Sequence, residues 1–147
     1  MARVVDVAAE NVRLPVSRER VRRAADAVLR AERVRDAVVS ITFVSARRIA
    51  AMNRRHLRHR GATDVLSFGW PAAGTKASLG GDIYIAPEVA RVNAAAHGAS
   101  SREELLRLVV HGVLHVLGHE HPNGEERYAS PMWKRQEALL RRELVRA

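Results

Sequence analysis

Apolar positions along the chain alternate between two periods, one of strands and one of helices. Arg3–Val7 and Ala37–Val44 are short runs that predict strands, and the second, Ala-Val-Val-Ser-Ile-Thr-Phe-Val, has the β-branched enrichment of one. Between them Val21, Ala24, Ala25, Val28 and Leu29 recur at i, i+3, i+4, i+7 and i+8, the stripe of a helix that Ser17 can cap. Ser45 can cap a second helix bearing Ile49, Met52 and Leu57, which ends near Gly61. Asp64–Phe68 and Asp82–Ala86 predict two further strands around a loop, Gly69–Gly81, rich in Gly, Ala, Ser and Pro. Pro87 opens a third helix and Gly98 closes it. Ser101-Arg-Glu-Glu104 fits a capping box and starts the most apolar helix, which runs to Gly118. Ser130-Pro131 begins a last helix with Trp133, Leu139, Leu140 and Leu144 as its inner face.

Strands interspersed with helices predict an α+β fold. The expectation is a single domain over residues 1–147, with a small mixed sheet of about four strands packed with about five helices. At 147 residues and 47% apolar content, the chain has the material for one sizeable core, which excludes disorder of the whole chain. It contains no cysteine, so disulfides, thiolate-bound zinc, iron–sulfur clusters and thiol catalysis are excluded together. No apolar run reaches the roughly 20 residues of a membrane span, since Arg107, His111 and His115 interrupt the longest, Leu105–Leu117. Met1–Asp6 has no apolar core of the signal-peptide kind, and the expected location is the cytoplasm, with no membrane partner.

The 25 Lys and Arg residues outnumber 16 Asp and Glu, giving a formal charge of +9 and pointing to a polyanionic partner. Lys76 and Lys134 are the only lysines. Arginine forks suit phosphate, although a coding bias that also favours alanine produces the same ratio. Between Ala37 and Thr63 there is no acidic residue, while Arg47, Arg48, Arg54, Arg55, Arg58 and Arg60 cluster there. Six arginines in one segment can track a phosphodiester backbone, and the plainer reading is a solvated basic helix face. Aromatic residues are scarce, two each of Phe, Tyr and Trp, so a stacking platform for RNA is poorly supported.

Four histidines fall between positions 111 and 121, on the apolar helix and the loop after it. His111 and His115 are i and i+4 on one helix face and can share one ion, and Gly118 can turn the chain so that His121 offers a third nitrogen. Three nitrogens with an open fourth position is the arrangement of a catalytic zinc. The spacing matches the H-E-x-x-H-x-x-G-x-x-H pattern of metzincin proteases, except that Gly112 stands where the general-base glutamate belongs. A metalloprotease-like zinc hydrolase therefore stays open as an alternative, without its usual base. His119 competes with His121 as third ligand, and satisfied core histidines are the plain alternative for His111 and His115. Glu120 is either a catalytic base or a solvated loop carboxylate.

His111-Gly-x-Leu-His115-x-x-Gly118-x-Glu120-His121, Thr63-Asp-Val-Leu-Ser-Phe68, Met52-Asn53 and Gly80-Gly-Asp82-Ile83 together resemble the YbeY family of bacterial rRNA-maturation endoribonucleases. The resemblance covers nearly the whole chain. It implies one divalent ion of the zinc type on His111, His115 and His121, cleavage of single-stranded RNA, small-subunit rRNA 3′-end maturation with ribosome quality control, and the ribosome as partner. A non-catalytic ribosome assembly factor with a structural metal is the remaining alternative. The chain departs from the family pattern at His56-Leu57, where Tyr-Arg is frequent, which makes Arg58, one place later, a catalytic candidate beside Glu120. Ala62 and Gly69 stand where prolines are frequent, and Glu120 replaces an aspartate.

Overall fold

In the computed structural model, which describes residues 2–57, 64–70 and 79–146, the four expected strands form one mixed sheet. They are β1 (Arg3–Ala9), β2 (Ala37–Phe43), β3 (Val65–Trp70) and β4 (Leu79–Ile85), in the order β1-β2-β4-β3. β1, β2 and β4 run parallel, and β3 pairs antiparallel with β4. Alternation along β2 sets the layers: Ala37, Val39, Ile41 and Phe43 are wholly buried on one face, and the residues between them are half-buried on the other.

Helix α1 (Arg18–Ala31) connects β1 to β2 across the buried face, and Ser17 caps it as the spacing predicts. Helix α2 (Ala46–Leu57) follows β2, with Ser45 Oγ accepting from the Arg48 amide at 3.1 Å. Helix α3 (Pro87–Ala96) leads into α4 (Ser101–Val116), the central helix, which shares the buried face with α1. The cap of α4 is Ser100, one residue earlier than the motif suggested, its Oγ accepting from the Glu103 amide at 3.0 Å. A 3-10 turn (Gly124–Ala129) precedes α5 (Pro131–Leu144). The part of the Gly69–Gly81 loop between positions 70 and 79, and the end expected for α2 near Gly61, lie outside the described residues. Among the described residues no helix is long and apolar enough to cross a membrane.

The inner face of α5 differs from the expectation. Met132, Gln136, Leu139, Leu140 and Glu143 are buried, whereas Leu144 is 38% exposed. Two polar residues occupy core positions because each has a partner. The Arg20 guanidinium pairs with the Glu143 carboxylate and also donates to the Glu143 carbonyl at 2.6 Å, tying α1 to the end of α5.

Two glycines let the last turn of α4 lie against the sheet. Gly81 pairs with Gly69 across β4 and β3. A Cβ on Gly81 would stand 2.7 Å from the Phe68 carbonyl oxygen and 2.8 Å from Val116 Cγ2. Backbone on one side and a helix side chain on the other leave no room for a methyl group. Gly81→Ala is expected to destabilise the fold by about 1–3 kcal/mol, read as a lower denaturant midpoint. An unchanged midpoint would show that β4 and α4 are not in this contact.

Candidate metal centre

Helix α4 is buried along nearly its whole surface. Leu105, Leu106, Val109, Val110, Val113 and Leu114 have no solvent exposure, while Arg107, His111 and His115, at i, i+4 and i+8, are half-buried. That one polar stripe lines an open cleft of about 830 Å³. Asp64 and Ser67 from the β3 region, Asn93 of α3 and Asn53 of α2 line it opposite α4, and Glu120, His121, Arg127, Tyr128 and Trp133 come from the segment after α4.

Gly118, at φ 97°, reverses the chain after α4. His121 thereby returns to His111 and His115, with ring centroids 5.1 and 5.0 Å from theirs. One ligand atom from each of the three lies within 4.8 Å of the others, a group that can hold a metal ion. His119, the competing histidine, is turned away: its Nε2 lies 2.6 Å from Glu32 Oε1 at the end of α1, and Arg135 Nε donates to Glu32 Oε2 at 2.9 Å. Burial alone would raise the Glu32 carboxyl, but the hydrogen bonds from His119 and Arg135 outweigh it and hold it below its usual value.

The hydrogen bonds of the three rings fix their tautomers. Gln136 is 1% exposed, and its Nε2 donates to Glu137 Oε2 at 3.0 Å, which turns its Oε1 toward His111 Nδ1 at 2.6 Å. An amide oxygen only accepts, so His111 carries its proton on Nδ1. The same logic applies to His115 Nδ1 on the His119 carbonyl at 3.0 Å, and to His121 Nδ1 on the Pro122 carbonyl at 2.8 Å. A neutral ring held in this way presents its Nε2 lone pair. His115 Nε2 and His121 Nε2 lie 3.2 Å apart. A tetrahedral ion bound at about 2.0–2.1 Å separates its ligands by about 3.3–3.4 Å, so the residues fit such an ion. Burial lowers the His111 imidazole, and burial with the two neighbouring rings pushes His115 down to about 4. Both are therefore neutral at physiological pH, the form that binds metal.

Gly112 answers the question of the missing base. A Cβ there would stand 2.8 Å from Ile83 Cγ2, so position 112 faces the sheet and not the cleft. Glu120, by contrast, lines the cleft. The basic segment does not join the histidines. Arg47, Arg48, Arg54 and Arg55 are exposed on α2 and do not line the cleft, while Arg58 and Arg60 lie outside the described residues. Among the described residues the cations that line it are Arg107 and Arg127, which sequence reasoning did not single out. Gln136 was missed as well, because a polar residue inside an apolar helix face gives no periodic signal.

The model of the family described as "Endoribonuclease YbeY" matches residues 6–143. The chain belongs to the YbeY family. A YbeY endoribonuclease of Pelotomaculum thermopropionicum is 41% identical over 126 residues, 82% of each chain. One of Thermobifida fusca is 35% identical over 130 residues, 83% of each chain. The YbeY-family fold also resembles the solution structure of a Thermotoga maritima protein, at TM-score 0.64 and 22% identity over 95% of this chain and 89% of that one.

In this YbeY-family cleft, Glu137 links the orientation of His111 to pH. Arg107 grips Glu137 with two bonds, at 2.9 and 3.0 Å, and Glu137 in turn holds Gln136. Burial raises the Glu137 carboxyl, but Arg107 and Gln136 together keep it below its ordinary 4.5. A depressed carboxylate contributes stability above its unfolded pKa and loses it as pH falls through the folded one. The stability gap between wild type and Glu137→Gln should therefore be complete near neutrality and shrink as pH drops below 4.5, in urea titrations at successive pH values. A gap that ignored pH would contradict this role of the Arg107–Glu137 pair.

Proposed function

We propose that this chain is a metal-dependent endoribonuclease of single-stranded RNA, with His111, His115 and His121 as the ligands of one divalent ion, zinc by preference. The observation that carries the reading is the grouping of His111, His115 and His121, one ligand atom of each within 4.8 Å of the others, with an oxygen beside each Nδ1. Family membership supports the substrate, and with it small-subunit rRNA 3′-end maturation, the ribosome as partner and a cytoplasmic setting. The described elements serve as one hydrolase domain.

An ion held there supplies Lewis-acid polarisation of a phosphoryl oxygen and makes water more acidic. His115 lies in the last turn of α4, where the helix dipole would favour a positive charge. The chain's own residues do the rest. Glu120 offers a carboxylate oxygen in the cleft to accept the proton of the attacking nucleophile. Asp64, whose carboxyl is raised by burial, accepts a bond from Asn93 at 3.1 Å and can hold a proton for the departing oxygen. Arg127 places positive charge where the phosphate lies. Exposed arginines of α2 draw the polyanion in from outside the cleft. Because position 112 faces Ile83, a protease base at that site is sterically excluded, which disfavours the metalloprotease alternative.

Metal-loaded protein is expected to cut a single-stranded oligoribonucleotide and leave an unfolded protein substrate intact. Chelation and His111→Ala should each reduce cleavage to background. A His111→Ala protein cutting at the wild-type rate would falsify the metal's role, and chelator-resistant rRNA binding without cleavage would favour the assembly-factor alternative.

A further inference from the structure

The sequence contains two tyrosines and two tryptophans, and one of each meets beside the histidines. Tyr128 and Trp133 have ring centroids 4.7 Å apart at 85°, an edge-to-face pair. Tyr128 is 44% exposed in a cleft it shares with His111 and His121. A large ring left in contact with water beside a site gains free energy when a flat apolar partner covers it. The Arg127 guanidinium lies 4.9 Å from the Tyr128 ring centre and donates to the Tyr128 hydroxyl at 3.0 Å, which holds the ring in one orientation. Among the described residues Arg127 is in no ion pair within 4 Å, and its charge acts on the Asp64 carboxyl and His111 across the cleft.

The three residues are held by one buried hydroxyl. Ser130 Oγ donates to the Arg127 carbonyl at 2.6 Å and accepts from the Trp133 amide at 3.2 Å, locking the 3-10 turn onto the first turn of α5. Glu125 and Glu126, on the same turn, do not line the cleft. The chemistry offered is an exposed aromatic pair with a guanidinium over one side of the Tyr128 ring, next to the three histidines. That matches a planar base joined to a phosphate.

We propose that Tyr128 and Trp133 form a stacking subsite for one unpaired nucleobase of the RNA, with Arg127 contacting a phosphate of the same nucleotide. The inference rests on the endoribonuclease reading and adds a physical reason for single-strand selectivity. A base inside a duplex is already stacked and cannot reach the rings, whereas an unpaired base can.

Binding is tested with the metal-loaded protein and a single-stranded oligonucleotide of 2′-deoxy residues joined by methylenephosphonates that resist hydrolysis, by fluorescence anisotropy. Tyr128→Ala is expected to weaken binding about tenfold, and Tyr128→Phe, which keeps the ring, to restore most of it. An abasic position moved along the oligonucleotide should reproduce the loss at one place in wild type and cause none there in Tyr128→Ala. That second comparison reads the base itself, so a merely structural role for Tyr128 would not move it. Equal affinities for wild type and Tyr128→Ala, an abasic loss that persists in Tyr128→Ala, or no binding by wild type would each overturn the subsite. Base-dependent binding by a protein that fails to cut the all-ribose oligonucleotide would overturn the endoribonuclease reading and leave the subsite standing.

Discussion

The close seating of α4 on the sheet is the constraint from which the cleft follows. Gly81 and Gly69 bring the last turn of the helix onto β4 and β3, and Gly112 lets its middle approach Ile83. A helix seated that closely has most of its surface committed to apolar contact, and the residues left over form a single stripe. Arg107, His111 and His115 are that stripe beyond the first turn, and they line the cleft. Position 112 cannot serve both purposes. The protein uses it for packing, and a carboxylate for proton transfer must then come from elsewhere in the cleft.

Seating the helix positions the rings, and hydrogen bonding behind them decides how they point. Each of the three anchors is an oxygen acceptor of a different origin: a side-chain amide, the carbonyl of a loop braced by Glu32, and the carbonyl of the residue after His121. The first belongs to a closed chain from Arg107 through Glu137 and Gln136 to His111. Buried polar groups stabilise only when every member has a partner, and no buried side-chain nitrogen or oxygen among the described residues is left without one. The three rings are thus oriented without an ion, which lowers the reorganisation required to bind one.

How legible this was in the sequence depended on whether the signal was local. Strand identity, the caps at Ser17, Ser45 and Ser130, and the turn at Gly118 are local, and they were readable within a residue or two; the shift from Ser101 to Ser100 is the size of error that two adjacent serines invite. The histidine spacing was readable for the same reason, since i, i+4 and a glycine turn are short-range geometry. Gln136 and Glu143 broke the pattern because their partners, His111 and Arg20, are 25 and 123 residues away. Aromatic totals are low, and a total carries no information on which rings meet, as Tyr128 and Trp133 do at the cleft. The arginine cluster is legible as charge, and its described members Arg47, Arg48, Arg54 and Arg55 are exposed outside the cleft.

That last point separates two kinds of electrostatics in this protein. The formal charge of +9 acts on a polyanion at a distance, but solution ions screen such fields within about 8–10 Å. Arg47, Arg48, Arg54 and Arg55 are exposed on the outer side of α2, so their charge bears on encounter rate and salt dependence. Beside the histidines distances are short, and there one guanidinium without an ion pair counts for more than several outside the cleft. Arg127 is in that position and Arg107 is not, because Glu103, Glu104 and Glu137 already neutralise it. The cations that lack a carboxylate partner and line the cleft are the ones that can offset charge developing on the phosphate.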